Sequence, residues 1–166
     1  MRIAAGVVCL LVAGSIGETE HRNQQKENRI MEHKEPAVKF VKSETLPPAA
    51  GYSQVAVVTK GRLIYIAGQV AMDSSGKLVG PGDFRAQVKQ TFENLKAALA
   101  AGGATFDNVV KLNSYFVDVK QAPVFREVRD QYVNLANPPV STAVEVRRLV
   151  REEWLVEVEA VAVVPE

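Results

Sequence analysis

Few side chains are available for chemistry, because histidine and cysteine occur only in the first 33 residues. The single cysteine is Cys9, and the two histidines are His21 and His33. Residues 36–166 therefore contain no thiol nucleophile, no histidine general base and none of the usual zinc ligands. Any catalysis in that region must use carboxylates, tyrosine, lysine, hydroxyl groups, backbone groups or water.

Two carboxylates stand out near the end of the chain. Glu157 and Glu159 alternate with valine and alanine within residues 155–164, a pattern typical of a strand. Successive side chains of a strand point to opposite faces, so both glutamates share one face. The residues between them share the other face, which has the composition of a core.

The composition excludes several classes of function. Of the 166 residues, 47% are hydrophobic and 23% are charged, and the formal net charge is +1. These values are ordinary for a globular protein with one core. The sequence has no excess of basic or acidic residues of the kind that would indicate a nucleic acid or an anionic membrane as partner.

The first 35 residues differ from the rest and are interpreted as a leader. Residues 3–17 form an uncharged, mostly apolar run behind Arg2, of the length of a signal-peptide core and too short to span a membrane. Residues 18–35 are strongly polar without a hydrophobic period, which predicts disorder. Either the run is a true signal peptide and the protein is periplasmic or secreted, or translation starts at Met31 and the domain, residues 36–166, is cytoplasmic.

Six strands and two helices are predicted in residues 36–166. The first helix begins behind Asp83, a typical N-cap, and ends at Gly102-Gly103; the second spans residues 122–134. Gly61 between two β-branched runs predicts a hairpin of the second and third strands. The predicted strands are residues 38–42, 55–59, 63–67, 108–117, 141–149 and 155–164.

The order β-β-β-α-β-α-β-β indicates an α+β fold in which two helices cover one face of a mixed sheet. The other face is left uncovered and is half polar. In a domain of this size, such a face suggests either burial in an oligomer or a hydrated surface.

At this point the sequence resembles the Rid family, also called the YjgF-like family. Each motif is weak alone, but their order and spacing are specific. The motifs lie at residues 51–54, 63–69, 90–99, 107–112, 139–146 and 156–162.

The resemblance implies a chorismate-mutase-like fold and a homotrimer, in which three sheets form a central barrel and ligand clefts lie between subunits. It also implies hydrolysis of small enamines and imines to a carbonyl compound and ammonia. That reaction needs an oriented water and a proton for the substrate, so neither a metal nor an organic cofactor is expected.

The resemblance assigns site residues, with one departure. Glu157 matches the family's glutamate that orients water in the cleft. The family motif P-x-R-[S/T]-x-V-E-V holds a substrate carboxylate through its arginine, but this chain has Ser141 at that position. A serine offers one neutral hydrogen bond where arginine offers a two-pronged ionic one.

Other residues are weaker candidates for substrate binding. Tyr52 matches a cleft tyrosine, although the proline that precedes it in the family is missing. Gly68 and Gln69 are expected to form a cleft wall, where glycine permits close approach. Arg126 could replace the missing positive charge, although a hydrated position on the helix surface is the simpler expectation. Glu159 is expected to be hydrated or paired with Arg147.

Two functions remain open from the sequence. The first is a trimeric enamine and imine deaminase with altered substrate preference. The second is a non-catalytic trimer that binds a small molecule or acts as a scaffold.

Overall fold

A computed structural model of the protein describes residues 13–32 and 35–166. The chain divides into two units, Met1–Pro36 and Ala37–Glu166. The described part of the first unit is a helix, α1 (Ala13–Glu32), which includes most of the segment for which disorder was predicted; that interpretation stays a prediction. The many glutamate, glutamine, lysine and arginine residues of α1 have high helix propensity, and no proline occurs before Pro36.

The start of the chain lies outside the described residues. Most of the apolar run 3–17 is not among the described residues, so the signal-peptide and Met31-start interpretations both stay predictions. Among the residues that the structure does describe, no helix is long and apolar enough to cross a membrane.

The second unit has the predicted α+β order. Its elements are β1 (Val38–Val41), β2 (Val55–Val58), β3 (Arg62–Gln69), α2 (Phe84–Ala101), β4 (Val109–Phe116), α3 (Ala122–Arg129), β5 (Val140–Glu145) and β6 (Val156–Val164). The larger sheet has the strand order β3-β6-β4-β5, with β4 and β5 parallel and the other pairs antiparallel. The mixed sheet and the two helices on one face are thus confirmed.

The predicted hairpin of the second and third strands is wrong. β2 pairs with β1 in a separate two-stranded sheet, whereas β3 pairs with β6. Gly61 lies between them with φ of +110°, and a Cβ there would lie 2.8 Å from the carbonyl oxygen of Val164 in β6. The chain therefore turns against the end of β6, and β3 leaves the turn already paired with that strand.

The main core lies between the helices and the larger sheet. Val88, Phe92, Leu95 and Leu99 of α2 are fully buried against the apolar face of the sheet. Asp83 caps the helix by accepting a hydrogen bond from the Ala86 amide, as predicted. The apolar stripe and the cap together fix α2 over β3 and β6.

The second helix is shorter than predicted. This helix, α3, ends at Arg129 rather than near Asn134, and the bonds that follow it tighten to the i→i−3 type, from the Gln131 amide to Val128 and from the Tyr132 amide to Arg129. The chain then forms turns that lead to Pro139 and β5.

A buried glutamine ties two loops to α2. The Gln87 side chain is fully buried, and its amide nitrogen donates to the carbonyls of Gly80 at 3.2 Å and Glu153 at 2.9 Å. Its amide oxygen accepts from the Leu155 amide at 2.9 Å. Since Leu155 directly precedes β6, these bonds fix where that strand begins.

The open face of the larger sheet has a polar centre between two apolar ends. At one end Val161 and Val163 pack with residues of β1 and β2, and at the other Tyr115 packs against a cluster containing Trp154. The side chains between these ends belong to β3, β4 and β6, and Tyr65 among them is 77% exposed. This region matches the half-polar face expected from the sequence.

Replacing Gln87 with leucine should destabilise the domain. The Leu155 amide and two carbonyls would lose their partner inside the protein, which should lower the free energy of unfolding by about 2–4 kcal/mol. Chemical denaturation measures this change. The matched control is Thr91→Val on the same helix, because the buried Thr91 hydroxyl has no hydrogen-bond partner in the described structure. That variant should be neutral or slightly more stable; an equal loss in both would contradict the role given to Gln87.

Candidate active site on the open face of the sheet

Glu157 occupies the open face of β6, directly against β3. The pairing of β3 and β6 is irregular between Ile66 and Gln69, and Gly68 lies in this irregular segment. A Cβ added to Gly68 would lie 2.8 Å from Cδ of Glu157 and closer still to its Oε1. The structure thus brings together two sequence-predicted site residues, and the missing side chain of Gly68 makes the space for the carboxylate.

The surroundings of Glu157 favour its protonated form. Partial burial is the main cause that raises its pKa above the ordinary value, and the negative charge of Glu159 adds to it. Within the described residues, no hydrogen bond to the Glu157 carboxylate offsets these effects. The group therefore keeps its proton to a higher pH than an exposed glutamate would.

Glu159 has a different environment on the same strand. Its Oε1 accepts a hydrogen bond from Asn113 Nδ2 at 2.6 Å and another from the Tyr115 hydroxyl at 3.3 Å. Both donors lie on β4, which pairs Asn113 with Glu159 and Tyr115 with Glu157. In the described structure Glu159 forms no ion pair with Arg147, so that alternative is wrong, whereas hydration of this partly exposed group stays a prediction.

Tyr115 lies between the two carboxylates. Burial is the main cause that raises the pKa of its hydroxyl, and the charge of Glu159, to which it donates, is the next. The phenol thus stays a hydrogen-bond donor over the physiological range. Sequence reasoning missed Asn113 and Tyr115; the alternation of β4 places both on one face, but only the register with β6 shows what they contact.

Gln69 turns away from the carboxylate pair. Its side-chain amide donates to the Ala67 carbonyl at 3.0 Å, and it borders a hollow of about 440 Å³ that reaches α2. Next to it, Asn94 donates to the carbonyls of Val70 and Met72, each at 2.8 Å. These bonds secure the segment that follows β3 and so support the position of Gly68.

Tyr52 lies in another hollow of the chain. This hollow, of about 550 Å³, is bordered by the proline-rich bend and by residues 135–138, and neither Glu157 nor Gly68 lines it. The backbone of Ser53 joins the bend to Pro139 through a 3.2 Å hydrogen bond.

Beneath the bend the buried Arg129 forms a 2.6 Å ion pair with Asp130. A Cβ on Gly51 would lie 3.0 Å from Arg129 Nη2.

Ser141 and Arg126 are also separated from Glu157 within one chain. Ser141 is paired with Leu112, a fully buried residue of the helix-covered face. Its side chain therefore points to the face opposite Glu157, with β4 between them. Arg126 is exposed on α3, which packs over that same helix-covered face.

The contact between Gly68 and Glu157 can be tested through stability. Gly68→Ala should lower the free energy of unfolding by about 1–3 kcal/mol, because the new methyl group overlaps the Glu157 side chain. In a Glu157→Ala background the same change should cost almost nothing, since the overlapping atoms are gone. Chemical denaturation of the four proteins in this cycle measures the coupling. Equal costs in both backgrounds would show that the two residues do not meet.

Comparisons with known proteins agree with this architecture. A family model described as Endoribonuclease L-PSP matches residues 42–164. Protein DfrA of Myxococcus xanthus is 36% identical over 128 residues, which cover 76% of this chain and 96% of that protein. The 2-iminobutanoate/2-iminopropanoate deaminase of Rattus norvegicus is 37% identical over 127 residues, which cover 75% and 89%.

A solved structure agrees as well. A protein of the conserved Rid protein family from Yersinia pestis, YyfB, has a TM-score of 0.69 and 33% identity, and the match covers 78% of this chain and all of that one. The strand order, the extent of the family match and the length covered in the relatives all lead to one assignment: this chain belongs to the Rid family.

Proposed function

We propose that the protein hydrolyses small enamines and imines to a carbonyl compound and ammonia, with Glu157 as the proton carrier. The observation that carries this proposal is the Glu157 carboxyl, half-buried against Gly68 with a raised pKa. A group that titrates closer to neutrality both donates and accepts protons effectively. The name of the rat relative, an imine deaminase, supports the same chemistry.

The reaction balances with water alone. The protonated Glu157 carboxyl transfers its proton to the β carbon of an enamine, R–C(NH₂)=CH₂, and an iminium ion forms. The oxygen of a water molecule then bonds to the iminium carbon while one water proton returns to the Glu157 carboxylate. The carbinolamine proton moves from oxygen to nitrogen, the C–N bond breaks, and R–CO–CH₃ and ammonia leave.

The proposed site is completed by a second copy of the chain. Tyr52, Ser141 and Glu157 are assigned to one cleft by the resemblance, yet in one chain they lie in different places. The edge strand β5 carries Ser141, and the structure describes a single isolated bridge on its outer side, between Val140 and Ser53. A homotrimer in which this edge of one subunit meets the open face of the next would bring the three residues together.

Ser141 is expected to change which substrates are accepted. Without an arginine at residue 141 the cleft lacks a two-pronged anchor for a substrate carboxylate, and Arg126, on α3 over the helix-covered face, does not share the open face with Glu157 in the same subunit. We therefore expect a preference for imines without a carboxylate over 2-imino acids. The serine is also what favours the second candidate function, a trimer that binds a small molecule without converting it.

Glu157→Gln should abolish the reaction without unfolding the protein. Removal of a general acid and base costs about 100-fold or more in rate, whereas glutamine fills nearly the same space. Ammonia release from a set of neutral imines and from 2-aminoacrylate is the measurement, with Glu127→Gln on the exposed surface of α3 as the control. If the parent protein leaves every substrate at its uncatalysed decay rate, the deaminase proposal fails and the binding function replaces it.

Ser141→Arg should restore activity on substrates that carry a carboxylate. A hydrogen bond between charged groups contributes about 1.5–3 kcal/mol, which corresponds to about a 10- to 100-fold gain in kcat/KM for 2-aminoacrylate. Ser141→Lys is the matched control, because lysine adds the charge without the planar fork and should give a smaller gain. No gain in either variant would show that Ser141 does not face the substrate.

A further inference from the structure

The two carboxylates of the open face are held in unequal ways. Glu159 is fixed by two hydrogen bonds from β4, while Glu157 has no hydrogen-bond partner among the described residues. A carboxylate that accepts hydrogen bonds is stabilised in its ionised form, and a half-buried one without partners is stabilised in its protonated form. The same face thus carries one carboxylate held in place by hydrogen bonds and one that has no such bonds in the described structure.

The difference between the two glutamates assigns roles to the residues around them as well as to Glu157. We propose that Asn113 and Tyr115 are positioning residues that hold the Glu159 carboxylate in one place beside Glu157 and thereby make Glu157 the group that takes and returns the proton of the substrate. The inference rests on the deamination proposed above and names the residues that set its proton chemistry. Neither Asn113 nor Tyr115 needs to touch the substrate for this role.

The other charged and titratable groups of the face do not raise the pKa of Glu157 as Glu159 does. Lys111 lines a hollow of about 410 Å³ with Asn113, Glu159 and Tyr65. Its positive charge would favour the ionised form of both glutamates, but it is exposed, and solvent screens it. Arg151 stacks over Trp154, in the apolar cluster against which Tyr115 packs, with its guanidinium 5.3 Å from the ring centre. Glu159 is thus the anion whose charge acts on Glu157.

The pH dependence of the reaction tests the first part of the inference. The negative charge of Glu159 raises the pKa of Glu157, so Glu159→Gln should lower it. Glu157 then loses its proton at a lower pH, and the alkaline limb of the kcat/KM profile should move to lower pH. At a fixed pH on the alkaline limb, each pH unit by which the limb moves lowers kcat/KM about ten-fold. Glu127→Gln removes an equal charge from α3, and its profile should coincide with that of the parent.

A titration without substrate tests the inference independently of activity. With ¹³C-labelled glutamate, NMR follows the Glu157 carboxyl, assigned by its absence in Glu157→Gln. Its midpoint should move to lower pH in Glu159→Gln and stay in place in Glu127→Gln. An unchanged midpoint in Glu159→Gln would overturn the inference even if the parent hydrolyses imines. A shifted midpoint in a protein that hydrolyses nothing would leave the coupling of the two glutamates but overturn the proposed deamination.

The donors on β4 require their own variants. In the double variant Asn113→Ala with Tyr115→Phe, Glu159 loses both hydrogen bonds, and its carboxylate is no longer held in one place beside Glu157. The midpoint of Glu157 in the NMR titration should then move to lower pH, in the same direction as in Glu159→Gln, and the alkaline limb of the kcat/KM profile should move with it. Tyr115→Phe keeps the ring in its apolar cluster, so its unfolding curve checks that packing survives. If the double variant titrates like the parent, Asn113 and Tyr115 are cross-strand structural partners only.

Discussion

β6 is hydrogen-bonded on both sides, to β3 and to β4, and the position of the candidate site depends on that pairing. Its alternation places Val156, Val158 and Ala160 in the core under the helices and turns Glu157 and Glu159 to the open face. A slip by one residue would exchange the two sets, expose the apolar side chains and bury both glutamates, which is unfavourable on both faces. The apolar set thus fixes where the carboxylates lie.

The neighbouring strands make different contributions to the site. β3 leaves space, because Gly68 has no side chain where Glu157 turns toward it. β4 supplies polar groups, because Asn113 and Tyr115 lie opposite the two glutamates. Gln87 lies on α2, on the helix-covered side of the sheet, and fixes the backbone just before β6 through its hydrogen bond with the Leu155 amide. A half-buried carboxylate without a hydrogen-bond partner is unfavourable for stability, and it is this unfavourable position that the proposed proton chemistry would use.

The sequence predicts the elements well where periodicity is strong and local signals agree. The stripe of α2, its Asp83 cap and the alternation of β6 all depend on neighbouring residues, and the structure contains them as expected. The predicted hairpin fails for a non-local reason, since Gly61 turns the chain but cannot show that β6 is the preferred partner of β3. The hydrogen bonds of Glu159 could not be predicted from local sequence patterns either, because they join residues 46 and 44 positions apart. Helix α1 shows a different limit: a polar composition is compatible with disorder and with helix alike.

The separation of Ser141 from Glu157 limits what one subunit can do. Ser141 lies on the edge strand β5, whose outer side is covered near its start by the bridge between Val140 and Ser53, and the exposed remainder of such an edge readily pairs with or packs against another chain. Under the proposed trimer, the substrate would meet Glu157 from one copy and residue 141 from the next. The proton chemistry and the substrate anchor would then reside on different subunits. Under that proposal, residue 141 could differ from the arginine that the family resemblance assigns to it without disturbing the β3-β6-β4 register that holds Glu157.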